Sequence, residues 1–430
     1  MCKIRTFCCL LVLWIMNAQA QDSTSLQVRD DGYGEALIIP FFSVQNGWHT
    51  YIDINNNGGM LHLKLRSAET GDVFSAFNVY LPKNGVLRAA LSSPDSFGDY
   101  PGGPGISFAS YAGSMCVVGG AIGEPSWGGY DRGYGRGNRM FPIAHTIGSI
   151  EVYSLRYNTE AKNPYTVCPT LIKRWDDGGR WQTGKPLLWV TSVSNPKARA
   201  FVTLINIEEA VSVNYTATAL SNTGIESVHE HPLRSTIDLS RVTGGIEAVA
   251  KALNASKITN DIVNLESINA STEWVLTYPL AGYGYHQGRE TLIDGQVRYC
   301  DSFGTDNLGP DSPLGGALLG DPIRLSLYGG GQEVVKIPNA SWSSFDACYA
   351  VNLISFQPES LLSTGEDLFS VKQQKVSQML KSIGGAGVLS WSMEQPSPVL
   401  GFRITNFSNG TLDGGKTLSN YSILTPHKFD

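Results

Sequence analysis

Residues 36–57 (ALIIPFFSVQNGWHTYIDINNN) constrain the fold more than any other stretch of the chain. An unbroken apolar run is followed by Gln45-Asn46-Gly47 and then by strict alternation of apolar and polar residues. The alternation puts Trp48, Thr50, Ile52 and Ile54 on one face, and His49, Tyr51 and Asp53 on the other. A period of two is the mark of a half-buried strand. Asn-Gly between two such runs predicts a tight hairpin, because both residues tolerate the positive φ that its turn needs.

The pattern recurs along the first half. Leu61, Leu63 and Leu65 alternate with His62, Lys64 and Arg66, a second half-buried strand. Residues 73–81 read as another strand, and Lys83-Asn84-Gly85 turns the chain into residues 86–91. Short strands at about ten-residue spacing with Asn-Gly turns predict a β-sandwich. After a Pro/Gly-rich loop, residues 143–157 return to strand. Residues 173–185 (KRWDDGGRWQTGK) are polar and Gly-rich and read as a linker, with a new β series opening at residues 186–194, 199–207 and 211–219. The expectation is an all-β chain of two Ig-like sandwich domains with long loops, at 21–172 and 186–430. Two short helices fit the second domain. Ile246, Val249, Ala250 and Leu253 follow helical spacing, and residues 370–383 do so between a capping Ser370 and Gly384-Gly385.

The N-terminus reads as a cleavable leader. Lys3 and Arg5 precede ten apolar residues (7–16), and Ala18-Gln19-Ala20 follows as a cleavage site. Ten residues are about half of what a membrane-spanning helix requires. Residues 1–20 are therefore expected to be removed. The remaining chain is expected to be secreted, extracellular or on the cell surface, with the periplasm also open, and to have no transmembrane segment. Loss of two cations takes the net charge from −6 to −8. No basic stripe exists, which argues against nucleic acid as a partner. Of seven cysteines, Cys116, Cys168, Cys300 and Cys348 remain after cleavage. An even number in an oxidising compartment predicts two disulfides, with Cys116–Cys168 and Cys300–Cys348 preferred because each closes within one half.

Residues 119–139 (GGAIGEPSWGGYDRGYGRGNR) interleave eight glycines with Trp127, Tyr130, Arg132, Tyr134, Arg136 and Arg139. No Walker or dinucleotide fingerprint is present, so the segment reads as a surface insertion or as an aromatic and Arg contact surface for a glycan or a neighbouring protein. His229-Glu230-His231 is the one compact cluster of metal-type ligands, and on a strand both histidines would share a face. Exposed histidines are the preferred reading. Asp301, Asp306 and Asp311 do not follow EF-hand order, so a turn is preferred to calcium. No GxSxG elbow occurs, and Asp176-Asp177 and Glu366-Asp367 read as solvated acids. Trp175 and Trp181 are candidate sugar-stacking residues, whereas Trp274 lies in an apolar strand and reads as core.

Residues 269–279 (NASTEWVLTYP), 347–356 (ACYAVNLISF) and 399–421 (VLGFRITNFSNGTLDGGKTLSNY), with the Pro-aromatic-aromatic-x-Val opening at residues 40–44, resemble segments of a broad set of uncharacterised secreted bacterial β-rich proteins. The resemblance spans most of the chain beyond the leader and departs at residues 119–139. It implies an exported β architecture and no catalytic residue. The expectation is a non-enzymatic structural or interaction protein of the cell surface, matrix or an appendage. It would need no cofactor or metal and would act through β-edge and loop contacts with protein partners or with itself. Residues 21–31 are a candidate donor strand. The alternative is a carbohydrate-binding or glycan-hydrolysing protein using Trp127, Tyr130 and Tyr134.

Overall fold

The computed structural model describes residues 25–82, 84–93, 104–110, 115–121, 140–156, 197–225, 230, 232–285, 289–293, 296–303, 326–328, 334–336, 345–347, 349–356, 360–363, 370–372, 385–412 and 417–430. The chain is mostly β, in several antiparallel sheets.

Thirteen strands build the first two sheets. They begin with β1 (Gln27–Arg29), β2 (Ala36–Ser43), β3 (Trp48–Asn56), β4 (Gly59–Ser67) and β5 (Val73–Tyr80). They continue with β6 (Gly85–Ser92), β7 (Gly105–Ser110), β8 (Cys116–Ala121), β9 (Met140–Pro142) and β10 (Ile147–Arg156). After the long connection come β11 (Ala198–Asn206), β12 (Val211–Thr216) and β13 (Thr218–Ser221). One sheet runs β1-β13-β2-β10-β4-β5-β8 and the other β12-β11-β3-β6-β7-β9. Their facing sides share one apolar core, to which Leu37, Ile52, Leu63, Phe77, Leu87, Val152 and Val202 contribute.

Two expectations are corrected here. Residues 36–57 form two strands with the anticipated inner face, Trp48, Thr50, Ile52 and Ile54 all being buried. Asn46 and Gly47 take the expected positive φ of 50° and 75°. Yet β2 and β3 do not pair. β2 lies between β13 and β10, β3 lies between β11 and β6, and the turn carries the chain from one sheet to the other. The same is true at Asn84-Gly85, since β5 and β6 belong to different sheets. Asn-Gly chemistry fixes a local reversal; which strand lies alongside is decided by burial. β2 is buried along its whole length and takes a neighbour on each side within the interior sheet.

The second correction concerns the boundary. Residues 173–185 lie outside the described residues, but β11–β13, expected to open the second domain, complete the first two sheets. Ala198–Asn206 pairs residue for residue with Asn56–Trp48, so the first core closes only with strands from beyond the expected linker.

A β-bulge explains Pro40. Between Phe42↔Gly148 and Ile39↔Ile150, β2 spends one more residue than β10. The extra residue falls at Pro40–Phe41, and a proline without an N–H is tolerated at such a bulge. Leu37 and Ile39 face the shared core, whereas Ala36 and Ile38 face a second cluster on the other side of the sheet. Phe41 meets Phe402 edge-on at 6.0 Å.

Beyond β13, helix α1 (Gly245–Leu253) matches the expected spacing and buries Val249, Ala250 and Leu253 in that second cluster. The remaining strands are β14 (Asn254–Val263), β15 (Ala270–Thr277), β16 (Arg289–Ile293), β17 (Gln296–Phe303), β18 (Ser326–Tyr328), β19 (Val334–Lys336) and β20 (Phe345–Ala347). They are followed by β21 (Val351–Ser355), β22 (Ser370–Lys372), β23 (Ala386–Pro398), β24 (Leu400–Phe407), β25 (Thr411–Leu412) and β26 (Thr417–Leu418). The last two are β27 (Tyr421–Pro426) and β28 (Lys428–Phe429). The third sheet runs β19-β18-β23-β14-β28, the fourth β22-β21-β15-β24-β27, and β16-β17-β20 and β25-β26 form two small ones. The start of the expected second helix, Ser370–Lys372, is instead a strand parallel to β21, and residues 373–383 lie outside the described residues.

Trp274 is fully buried, as expected, against Phe356 and His427. The opposite face of the fourth sheet (Val275, Val351, Leu353, Phe402 and Ile404) joins the core of the first two sheets. The two halves therefore share apolar interior.

Candidate functional site

Several places concentrate polar chemistry or exposed apolar surface among the described residues, and three of them hold the covering segments, the halves and the edge strands. The first lies on the outer face of β4, where His62, Lys64 and Arg66 are expected to meet solvent. All three are buried instead, because the segments around residues 230–241 and 281–283 cover them. Arg66 Nε stands 2.6 Å from Glu151 Oε1 in ion-pair contact, without hydrogen-bond alignment. Arg66 Nη2 donates to Glu151 Oε2 at 3.2 Å, and Nη1 donates to the Gly71 carbonyl at 2.7 Å. The hydroxyls of Tyr153 and Tyr283 also donate to Glu151, at 2.6 and 2.9 Å. The guanidinium lies over the Tyr283 ring, 4.3 Å from its centroid. Lys64 Nζ donates to the Ser235 carbonyl at 3.2 Å and stands 3.7 Å from Asp238.

Burial opposes the charge on Arg66, but Glu151, Tyr283 and Tyr153 together outweigh it and hold the guanidinium pKa above its usual value. Burial pushes the Tyr153 and Tyr283 phenols well up, with Glu151 adding to it. His62 is held down to about 3 by burial, with Lys64 adding to it, and so stays neutral. Its Nδ1 is 2.7 Å from Asn78 Oδ1, and Asn78 Nδ2 donates to the Glu230 carbonyl. Glu151 and Arg66 spend their polar atoms on one another and on the covering segments. A buried network tied in this way works as a clamp, with Arg66 Nε held by charge alone.

The second place joins the halves. Glu273 on β15 accepts hydrogen bonds from Ser360 Oγ (2.6 Å), Leu361 N–H (2.7 Å) and Leu362 N–H (3.1 Å). The same loop takes Trp48 Nε1 on the Leu361 carbonyl at 2.6 Å and Ser43 Oγ on the Leu362 carbonyl at 2.9 Å. Burial raises Glu273 to about 7, against the pull of its three donors.

The third place is a sheet edge. Most edge strands of the larger sheets are short: β1, β9, β19 and β22 have three residues each and β28 has two. Short and charged edges resist unwanted pairing. β12 is covered, because β27 runs beside it, the Tyr215 ring lies tilted 4.9 Å from Phe402, and the Tyr215 hydroxyl donates to the Phe41 carbonyl. β8 packs Cys116 and Val118 into the second cluster. β27, whose six residues YSILTP contain no charge, runs beside β12, with Asn420 at its start donating to the Glu209 carbonyl and Leu424 packed against the shared core. Tyr421 and Ile423 are 47% and 44% exposed.

The residues singled out by sequence are only partly placed. Trp127, Tyr130, Arg132, Tyr134 and Arg136 lie outside the described residues, as do His229, His231, Asp306, Asp311, Cys168, Cys348, Trp175 and Trp181. Asp301 and Cys300 are placed only as backbone of β17. Cys116 is buried on β8, and the pairing of the four cysteines is not settled by the described residues. The Glu230 carboxylate is taken by Ser235 Oγ and by the amide and hydroxyl of Thr236, which counts against its use as a metal ligand. Residues 25–29 of the candidate donor strand are described, and Gln27–Arg29 is paired within its own chain, to Ser221–Ala219.

Sequence reasoning missed Glu151, Tyr153, Tyr283 and the Tyr421/Ile423 pair. A signal for the clamp existed in three cations on one face of β4. Their partner sits on β10, and only the sheet register brings Lys64 opposite Glu151. For the edge, the alternation at residues 421–425 was available, but not its position at the end of a sheet.

No protein-family description, curated protein or solved structure matches this chain. What fold and sites define among the described residues is a mostly β chain of several antiparallel sheets, with buried polar clamps and an exposed Tyr421/Ile423 pair on an uncharged strand. No described helix is long and apolar enough to cross a membrane.

Proposed function

We propose that this chain is an exported, non-enzymatic structural or interaction protein of the cell surface, matrix or an appendage, built from β-sandwich units and acting through β-edge contacts. The observation that carries the reading is β27, a six-residue uncharged edge that presents Tyr421 and Ile423 to solvent. Exposed tyrosine and isoleucine side chains on an edge strand offer a partner an apolar contact face. The leader-like N-terminus supports export, and the four remaining cysteines support disulfide closure in an oxidising compartment. The clamps support a scaffold role, since their ionisable groups hold covering segments in place. Fractionation of the native host with an antibody to this chain tests the reading. The protein is expected in the extracellular or surface fraction; a cytosolic protein overturns it.

A second reading, glycan binding, is favoured by the outer face of the β3/β11 sheet. Tyr33, Tyr51 and Phe201 are exposed there, and the Arg199 guanidinium lies over the Phe201 and Tyr33 rings at 4.5 and 5.6 Å. Rings on a flat sheet face suit stacking against sugars, and polar neighbours such as Thr203 and Asn214 can bond hydroxyls. A glycan array with a polysaccharide hydrolysis screen tests it, and silence on both removes it.

A further inference from the structure

We infer that Lys64 on β4 and Asp238 in the segment covering it condense, within the folded chain, into an amide that joins the two covalently. The inference concerns the inside of the chain and goes beyond the β-edge reading above.

Elements far apart in sequence bring the two groups together. Lys64 lies in the middle of β4, on the outer face of the first sheet, under Ser235 and Asp238. Its Nζ donates to the Ser235 carbonyl at 3.2 Å, which holds the amine in place, and stands 3.7 Å from Asp238 Oδ2. The Lys64 side chain is 6% exposed and that of Asp238 is 22% exposed. Taking an ion pair out of water favours its neutral form, an amine beside a carboxylic acid. Burial accordingly lowers the Lys64 pKa, and a desolvated neutral amine is a nucleophile.

Asp238 is prepared on its other oxygen. Oδ1 accepts from the Ser240 amide at 2.9 Å and from the Ser240 hydroxyl. These two donors stand where negative charge gathers when an amine adds to a carboxyl carbon. Oδ2, which faces Lys64, is then the oxygen that departs.

The step balances without an oxidant or a cofactor. Lys64 enters as the ammonium and Asp238 as the carboxylate. The Nζ–Cγ bond forms and the Cγ–Oδ2 bond breaks. Oδ2 leaves as water with two of the three ammonium protons, and the third stays on the amide nitrogen. Glu151 lies opposite Lys64 in the β4/β10 register, and its charge acts on the ammonium ahead of that of Asp238. It is the group placed to carry a proton from Nζ to Oδ2. Condensation removes one cation and one anion together, so the Arg66–Glu151 pair keeps its balance. Asp238 follows β13, so the bond can form only after the strands that complete the first two sheets are in place.

Mass spectrometry of the chain from residue 21 onward, reduced and denatured so that disulfides do not contribute, tests the bond. The expected mass is below the sequence mass by one water, and a protease digest should yield a branched peptide that joins residues 64 and 238. Lys64→Met and Asp238→Ala should each restore the full sequence mass. A variant that fails to fold would also keep its full mass, so the digest of the wild type decides. A folded wild type of full sequence mass, a loss of water that persists in Lys64→Met, or a loss that maps to an unbranched peptide or to other residues overturns the inference. A full-mass protein located at the cell surface overturns the bond and leaves the reading of an exported protein standing. A cross-linked cytosolic protein does the reverse.

Discussion

The Thr50 hydroxyl brackets Ser43, accepting from its amide at 3.0 Å and donating to its carbonyl at 2.8 Å. Where a hairpin would place a cross-strand backbone partner, the protein uses one side chain to hold the arch from β2 to β3. Both residues are buried, so the bracket has no water to replace it. Thr50→Val should destabilise the protein by about 1–3 kcal/mol, the cost of leaving buried backbone groups unpaired, and Thr50→Ser should restore most of it. Urea denaturation of the three proteins measures this. Equal midpoints for Val and Thr would show that the bracket contributes nothing.

Ile52 is 1% exposed on the inner face of β3. Ile52→Asp would place a carboxylate within the shared core, where no counter-charge is available, and should prevent the first two sheets from closing. A soluble, cooperatively melting Ile52→Asp protein would contradict the assignment of that core.

The β4 clamp makes a sharper demand. Arg66→Met leaves Glu151 buried without its cation and should cost roughly 3–5 kcal/mol, whereas Arg66→Met combined with Glu151→Leu should cost clearly less than the sum of the single changes. Strict additivity in the double-mutant cycle would mean that the two groups do not act together.

Glu273 gives a pH dependence of defined sign. Its folded pKa is raised to about 7 from an ordinary 4.5, with burial the cause. Between these values the folded chain holds a proton that the unfolded chain has released. Stability contributed by this group is therefore full below about 4.5 and falls as pH rises through 7. Glu273→Gln should flatten that part of the stability–pH curve while keeping most bonds to the 360–362 loop. An unchanged slope would assign the pH dependence to other groups.

Strand periodicity was legible in the sequence where one face meets the core, as in β3, and so was α1 with its inward Val249, Ala250 and Leu253. Pairing was not. At Asn46-Gly47 both residues take the positive φ their chemistry predicts, and at Asn84-Gly85 Asn84 does, yet both turns cross between sheets, because partner choice is set by residues distant in sequence. The polar face of β4 was misread for a related reason. His62, Lys64 and Arg66 are as polar as a solvent face, and the residues that cover them, Ser235, Asp238 and Tyr283, belong to much later segments. Tyr421 and Ile423 carried no warning, since an exposed isoleucine on an edge is spelled like a buried one on an inner strand.

A chain cut after residue 172 tests the shared first core most directly, because β11–β13, which complete the first two sheets, all lie beyond that point. The account predicts that residues 21–172 alone show no cooperative melting transition, whereas residues 21–430 melt cooperatively. A soluble, cooperatively melting protein of residues 21–172 would contradict it.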